Sequence, residues 1–598
     1  MRDLAIEGRA ADAAPFRGGY GASAVTFFFV RDARVDNVHV SGWKGDAFSF
    51  QGGRDTTVTN CSSIGAVEKG FHPGSCQQRI IISRCRAEDC GDDGLFFCRY
   101  NQQSVMSNNV LSRNRGAMIG GLARAGDMFN VIVNNCGTDN RGGIPVEGGA
   151  NNVIVDNILV NSGEGVVMPM AGGAYAGLPH QYHVYAGPTR YHVIVGNIFL
   201  DDRALAQPLF AVADRPGAAA NLVAANRYRF TAAAAEPFAV TGAGSVARDN
   251  QPLQGEAVKA CPFPAPPPLP QPEQDASQHY DPAAPDCGFQ RAIDECAGRG
   301  GGTVRLPAGT YKLRRGLVLP SDVTLCGEGV ATVLIWEGPG FAVSSVHARN
   351  VAVRRLTVRG SALAQPRGGE DTAGVALIGG RGALIEQVMV EASYDGIITN
   401  GEDILISGCK TRGCRVGYDL TRSLRARLVE SRALDGTHGL RLGATKDALV
   451  HSNVFWHMRG KGILADDAAG SLSIIGNVVS SAGEEGIWFR DALAALVRGN
   501  VVHNASLRGK GRFAAVALAG GSTGCRVVAN RIGDELFDPF QTTAVGESEG
   551  ADENEIRYNI LCPNNWPQQG TLDEMIVRTG AKSVAADNVL EPYPPPKP

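Results

Sequence analysis

None of the 14 cysteines forms a Cys-x-x-Cys pair, so the usual zinc spacing is missing. No cluster of Lys and Arg is interleaved with aromatics, and the formal net charge is -3, so nucleic acid has no electrostatic footprint here. No apolar run approaches the roughly 20 residues that cross a bilayer. The opening residues, Met1-Arg-Asp-Leu-Ala-Ile-Glu, lack the apolar core of a signal peptide and read as the middle of a strand, as if cut from a longer chain. Helical periodicity is nearly absent. What the chain has is glycine, 76 residues of it, with 44% hydrophobic and only 20% charged residues, a composition that suits a turn-rich, well-packed β protein. Its length of 598 residues exceeds one ordinary core, and two domains are expected.

A short pattern recurs in the C-terminal half: Thr437-His-Gly-Leu-Arg-Leu-Gly, Gly460-Lys-Gly-Ile-Leu-Ala-Asp and Glu484-Glu-Gly-Ile-Trp-Phe-Arg, with Gly439, Gly462 and Gly486 spaced 23 and 24 residues apart. Between them stand Asn453, Asn477 and Asn500, each before an apolar pair. Self-similarity at this period, carried by short β-branched runs, means one coil of a parallel β-helix per repeat. The N-terminal half repeats the pattern with glycine-led strands at Gly70, Gly94, Gly116, Gly143 and Gly165 and Asn markers at Asn109, Asn134, Asn157 and Asn197. The Asn residues should hydrogen-bond along the stack as ladders do. Cys85 and Cys90, like Cys409 and Cys414, should be small side chains packed inside turns, with disulfides the minority reading. An insertion at about 171–190, holding His180, Tyr182, His183 and Tyr185, should project as a loop. The acidic run Glu547-Ser-Glu-Gly-Ala-Asp-Glu-Asn-Glu should be a solvated loop.

The expected fold is all-β, two tandem right-handed parallel β-helices with a short capping helix at the start of the second. The first should span 1–250 with its opening coils missing. A Pro-rich linker follows over 251–285, then the second helix over 286–591 and a Pro-rich tail over 592–598. Phe289-Gln-Arg-Ala-Ile-Asp-Glu-Cys-Ala should be the amphipathic helix that covers the open edge of the first coil. This segment, with Gly300-Gly-Gly-Thr-Val-Arg-Leu-Pro-Ala-Gly-Thr-Tyr after it, resembles the N-terminal signature of the pectate-lyase-like right-handed parallel β-helix superfamily. That superfamily contains lyases, hydrolases, epimerases, phage tailspikes and adhesins, so the resemblance implies a carbohydrate partner and an extracellular or periplasmic location. The tandem arrangement is also similar to that of tandem-β-helix β-1,3-glucanases, in architecture alone. Gly70-Phe-His-Pro-Gly-Ser with Gly91-Asp-Asp-Gly-Leu-Phe-Phe-Cys is similar in spacing to the catalytic stretch of mannuronan C5-epimerases. His72, Gly74 and Cys98 stand where that pattern has Asp, His and Asp, so the scaffold matches and the catalytic groups do not.

Strand alternation sorts each coil into an inside and an outside. After each leading glycine, first and third positions are apolar (Tyr418 and Leu420, Leu440 and Leu442, Ile463 and Ala465, Ile487 and Phe489) and should face the core. Second and fourth positions place Asp419, Arg441 and Asp466 on one outer wall as candidate catalytic groups. Trp488, Arg490, Asn400 and Asp467 are candidates for substrate binding. Aspartates protonate a glycosidic oxygen or activate water, arginine binds hydroxyls or uronate carboxylates, and tryptophan offers a flat apolar face. The competing reading pairs Asp419 with Arg441 and Asp466 with Arg490 as ordinary surface charges. On the first helix His72, Phe96, Met118, Pro145 and Val167 should form an apolar outer stripe, edged by a secondary candidate site of His72, Glu147, Arg99, Tyr100 and Arg124. Such a stripe needs covering, either by the second helix or in a homotrimer. The expected activity is hydrolysis of a polysaccharide. The alternatives are β-elimination on uronates and a non-catalytic, tailspike-like or adhesive glycan-binding role. No cofactor is expected, and calcium enters only with elimination.

Overall fold

The computed structural model describes residues 1–8, 22–122, 127–146, 148–163, 166–168, 189–203, 210–214, 218–231, 237–255, 272–360, 372–509, 511–533, 543–561 and 575–590. Among the described residues every strand pairing between coils is parallel, and the strands form two stacks. In the second stack each coil contributes one strand to each of three sheets of 13, 12 and 11 strands. In the first stack an 18-stranded sheet takes two strands from most coils, and the third side is built from sheets of five and four strands.

The glycine pattern is a packing requirement. Leu440 pairs with Ile463 and Ile463 with Ile487, so Gly439, Gly462 and Gly486 lie directly over one another. A Cβ on Gly439 would stand 2.4 Å from the Gly462 carbonyl oxygen, and one on Gly462 would stand 2.4 Å from Val479 Cγ1 and 2.6 Å from the Gly486 oxygen. The flanking Tyr418, Leu420, Leu440, Leu442, Ile463, Ala465, Ile487 and Phe489 are fully buried in one continuous core, as the alternation requires. Gly462→Ala should therefore cost about 1–3 kcal/mol by overpacking, read as a lowered denaturation midpoint with an unchanged m-value.

Turn asparagines tie coil to coil. Asn453, Asn477, Asn500, Asn530, Asn559 and Asn588 form an unbroken column, each side-chain Nδ2 donating to the next Oδ1 at 2.9–3.0 Å. Asn109, Asn135, Asn157, Asn197, Asn226 and Asn250 do the same in the first stack. The marker at Asn134 is off by one: it takes a left-handed turn conformation and donates to Asn108, while Asn135 joins the column. Cys85, Cys90, Cys409 and Cys414 are buried thiols, and no disulfide occurs among the described residues. Burial pushes the Cys90 thiol up to about 11 and those of Cys409 and Cys414 up to about 12. The acidic run is only in part a solvated loop. Glu547 is buried and accepts from Asn554 Nδ2 at 2.8 Å and Ser583 Oγ at 2.7 Å, binding successive turns together.

The α-helix Phe289–Gly298 buries Phe289, Ala292, Ile293 and Cys296 against the first coil of the second stack. That stack begins at the Glu273–Asp275 strand, which pairs with Gly302–Arg305 and lies within the stretch read as linker. No helix among the described residues is long and apolar enough to cross a membrane.

The two stacks lie side by side, and residues ascending one meet residues ascending the other. Arg34 donates to the Gly408 carbonyl, Ser83 to Glu430, Arg498 to Asp156 and Arg531 to Asn151. Between these polar contacts runs a valine-rich seam. Ile81, Val105, Val131, Val133, Val153, Val155, Val193 and Val195 pack with Val454, Val478 and Val501 in one cluster. Gly476 and Gly499 hold left-handed turns (φ 65° each) at this seam. A Cβ on them would stand 2.8 Å from Val133 Cγ1 and 2.5 Å from Val155 Cγ2. The expected seam through Phe96 and Met118 is thus corrected. Parallel runs such as Val131-Ile-Val are apolar on both faces, and it is their outer valines that meet the second stack. Met118 does not face outward at all, because the register pairs Leu95 with Ile119, and its side chain fills the first core.

Arg432 is buried in this seam and donates to the Arg79 carbonyl at 2.9 Å, to the Thr56 carbonyl and to Thr57 Oγ1. Desolvation pulls its guanidinium down to about 10. Arg432→Ala should cost about 3–5 kcal/mol by stranding these acceptors, seen as a large fall in the chemical denaturation midpoint.

Candidate functional site

The wall of the second stack is carried by the strands Val416–Asp419, His438–Arg441, Ile463–Ala465 and Ile487–Arg490. Register places Asp419 beside Arg441, Arg441 beside Leu464 and Leu464 beside Trp488. Arg441 is shared: its Nη1 is 4.0 Å from Asp419 Oδ2 and its Nη2 3.6 Å from Asp466 Oδ2. Since one planar guanidinium reaches both, the two carboxyls are at most about 10 Å apart. The pairing of Asp466 with Arg490 is corrected by this geometry. Arg490 instead faces Asp467 at 3.9 Å and Asp491 at 4.0 Å, because Asp467 takes a left-handed turn at the strand end and swings toward it.

The two carboxyls have different surroundings. Asp419 Oδ1 accepts from the Thr421 amide at 3.0 Å and from the Thr421 hydroxyl at 2.5 Å. Asp466 is 7% exposed, and its Oδ1 is buried with no hydrogen-bond partner. That oxygen lies over Gly443, where a Cβ would approach it to 2.7 Å, with Thr421 on the other side. Desolvation raises the Asp466 pKa against the opposing charge of Arg441. The two carboxyls thus differ in kind: Asp466 has a desolvated oxygen without a partner, and Asp419 has an amide and a hydroxyl on its Oδ1.

One coil on, Trp488 is half-buried, with Lys461 Nζ 5.1 Å and Arg490 Cζ 5.4 Å from its ring centre. Lys461 binds Glu484 at 2.6 Å and Glu485 at 2.9 Å. Burial, then the Lys461 charge, lowers the pKa of neighbouring His438. His438 and Lys461 both sit inside the repeat motif, and reading that motif for its glycines hides them. Asn400 lies one coil below Asp419, its Oδ1 accepting from the Gly379 amide at 2.6 Å across a register shift, so its carbonyl side is already engaged.

The secondary site is only partly described: Glu147, Arg124 and the insertion from 171 to 188 lie outside the described residues. His72 is almost completely buried, with Nδ1 2.7 Å from Asp46 Oδ2 and its ring edge-on to Phe96 at 5.2 Å. Arg99 and Tyr100 follow Cys98 in a left-handed turn at the rim, Tyr100 exposed. Asp46, Lys69 and Asp92 join this site without having been marked by the repeat, though Gly45-Asp-Ala-Phe stands one coil before Gly70-Phe-His-Pro and could flag Asp46. No group of three or more His, Cys, Asp or Glu residues arranged to hold a metal ion occurs among the described residues.

The stacked geometry meets a family model at this point. A model described as a right-handed beta helix region matches residues 23–176 and 341–532, more than half of the chain. The chain belongs to the right-handed β-helix family. No curated protein sequence matches it. Among solved structures, this β-helix protein is similar to the A-module of the mannuronan C-5 epimerase AlgE6 of Azotobacter vinelandii, at 19% identity over 53% of this chain and 99% of that one, with a TM-score of 0.41. It is also similar to the DFA-IIIase of Arthrobacter chlorophenolicus, solved with DFA-III, at 11% identity over 54% and 99%, with a TM-score of 0.43. A third is the enzymatically active domain of tailspike protein 2 of bacteriophage CBA120, at 12% identity over 44% of each chain, with a TM-score of 0.37.

If Arg441 is the charge that opposes desolvation at Asp466, its removal must move that pKa further upward. Carboxyl carbon NMR of aspartate-labelled protein should find Asp466 above the ordinary carboxylate range and higher again in Arg441→Met. An unchanged or lower value in the variant would separate the two groups.

Proposed function

We propose that this β-helix protein hydrolyses a glycosidic bond of a polysaccharide along the outer wall of its second stack. The observation that carries the reading is one guanidinium set between two carboxyls of unlike environment, in an open face beside a tryptophan. In this reading Asp466, whose pKa desolvation raises, protonates the glycosidic oxygen. Asp419, held by Thr421, takes a proton from the attacking water. A separation of up to about 10 Å admits the roughly 6.5–9.5 Å that leaves room for that water and gives inversion at the anomeric carbon. Arg441 holds sugar hydroxyls or a carboxylate between the two, and Trp488 supports a neighbouring sugar ring. Elimination would ask for a deprotonated base at the sugar C5 and cationic neutralisation of a uronate carboxylate, and its unsaturated products distinguish it from hydrolysis. The carbohydrate class and a location outside the cytoplasm are supported by the superfamily resemblance of the capping segment.

A screen of polysaccharides read by new reducing ends tests the reading. Asp466→Asn and Asp419→Asn should each lower turnover about 10²–10⁴-fold with unchanged thermal unfolding, and Trp488→Ala should raise KM. Products that absorb in the ultraviolet as unsaturated sugars would replace hydrolysis with elimination. Glycan binding weakened by Trp488→Ala, with no product from any substrate, would make the wall a binding surface.

A further inference from the structure

The first stack holds a thiol, an imidazole and a carboxylate in sequence. Asp46, His72 and Cys98 come from three successive coils: Ser49 pairs with His72, and Gly74 with Cys98. Asp46 Oδ2 binds His72 Nδ1 at 2.7 Å, and Asp46 Oδ1 accepts the Lys69 amide at 3.1 Å, so the carboxylate is fixed from two sides. With Nδ1 engaged by Asp46, the ring stands one coil from the Cys98 thiol: Cys98 pairs with Gly74, two residues along the strand from His72 and on the same face. Phe96, packed edge-on against the ring, limits its rotation. All three groups are more than nine-tenths buried.

A second observation points to a ligand. Gln51 is 2% exposed, its Nε2 donates to Ser49 and to the His72 carbonyl, and its Oε1 is buried with no partner. That oxygen is aimed at the glycine beside the thiol. A Cβ on Gly74 would stand 2.6 Å from Gln51 Oε1 and 3.1 Å from Cys98 Cβ. An acceptor with nothing to accept, next to a thiol one coil from an oriented imidazole, suits a bound hydroxyl or water.

From this arrangement we infer that Cys98, His72 and Asp46 form a second catalytic site, a thiol esterase for a short-chain carboxylic ester. His72 takes the thiol proton as the Cys98 sulfur bonds to the carbonyl carbon. The C–O bond to the alcohol then breaks, and the leaving oxygen takes that proton from His72. Water held at Gln51 attacks the thioester and gives one proton to His72, which returns it to sulfur as the carboxylic acid leaves. Ester and water become acid and alcohol, with no redox partner. Cys98 and His72 are catalytic residues, and Asp46 is a positioning residue that orients the ring.

The test uses the full chain and p-nitrophenyl acetate, reading nitrophenolate release together with the mass of acid-quenched peptides. The wild-type protein should carry an acetyl group on the peptide containing Cys98. Cys98→Ala should lose that adduct and reduce release at least about 10²-fold, and His72→Asn should slow acetylation about 10²-fold while keeping the thiol. Acetyl groups on lysines or other cysteines with Cys98 unmodified would overturn the inference, as would wild-type release by Cys98→Ala. The adduct map needs no variant, so a folding defect cannot obscure the result. Ester turnover is independent of glycan hydrolysis on the second stack, and either reading can fail alone.

Discussion

Each strand of this protein must lie one hydrogen-bonded step, about 4.8 Å, above its equivalent in the previous coil. That constraint decides which residues are tolerated. Glycine is required where core side chains close over the backbone, as at Gly462, and asparagine where a turn must bond to the turn above it, as at Asn477. It also turns positions more than twenty residues apart into neighbours. Asp419, Arg441 and Asp466 share one guanidinium, and Asp46, His72 and Cys98 gather from successive coils, for this reason alone.

The same stepping governs how the two stacks meet. Both rise at the same interval, so a contact made on one coil can recur on the next. The valine seam repeats through Val131, Val153 and Val193 on one side and Val454, Val478 and Val501 on the other. Polar groups between the valines are satisfied rather than excluded, Arg432 by backbone carbonyls and Glu430 by Ser83 and Arg84. Burying each valine contributes about 1.5–3 kcal/mol relative to exposure. Stranding one of the buried charges would cost more than a valine supplies. The seam is therefore selective for register as well as apolar.

Much of this is legible in the sequence because period and alternation are local signals. The stacked glycines, the inward Tyr418 and Ile487, the asparagine columns and the outer row of Asp419, Arg441 and Trp488 all follow from counting. Counting fails where a coil changes length. Gly116 stands two residues earlier in its coil than Gly94 does, so alternation points Met118 outward although it fills the core. Contacts between stacks carry no such signal, because Val131-Ile-Val is equally apolar on both faces and nothing local says which face meets a second helix. The sharing of Arg441 is hidden for a similar reason: alternation tells which wall a side chain is on but not which neighbour it leans toward. Asp46 is easily missed because its leading glycine, Gly45, stands two residues earlier in its coil than Gly70 does in the next.

Zero-length carbodiimide cross-linking followed by peptide mass spectrometry tests the architecture most directly, because it joins only amines and carboxylates in contact. Coil stacking predicts amide bonds between Lys69 and Asp92 and between Lys461 and Glu484, pairs already 2.7 and 2.6 Å apart. Side-by-side docking predicts a bond between Lys410 and Asp32, which lie on different stacks and 378 residues apart in the chain. Recovery of all three peptides is the expected result. Recovery of the first two without the third would dissolve the seam between the stacks, and absence of the first two would remove the stacking on which both sites rest.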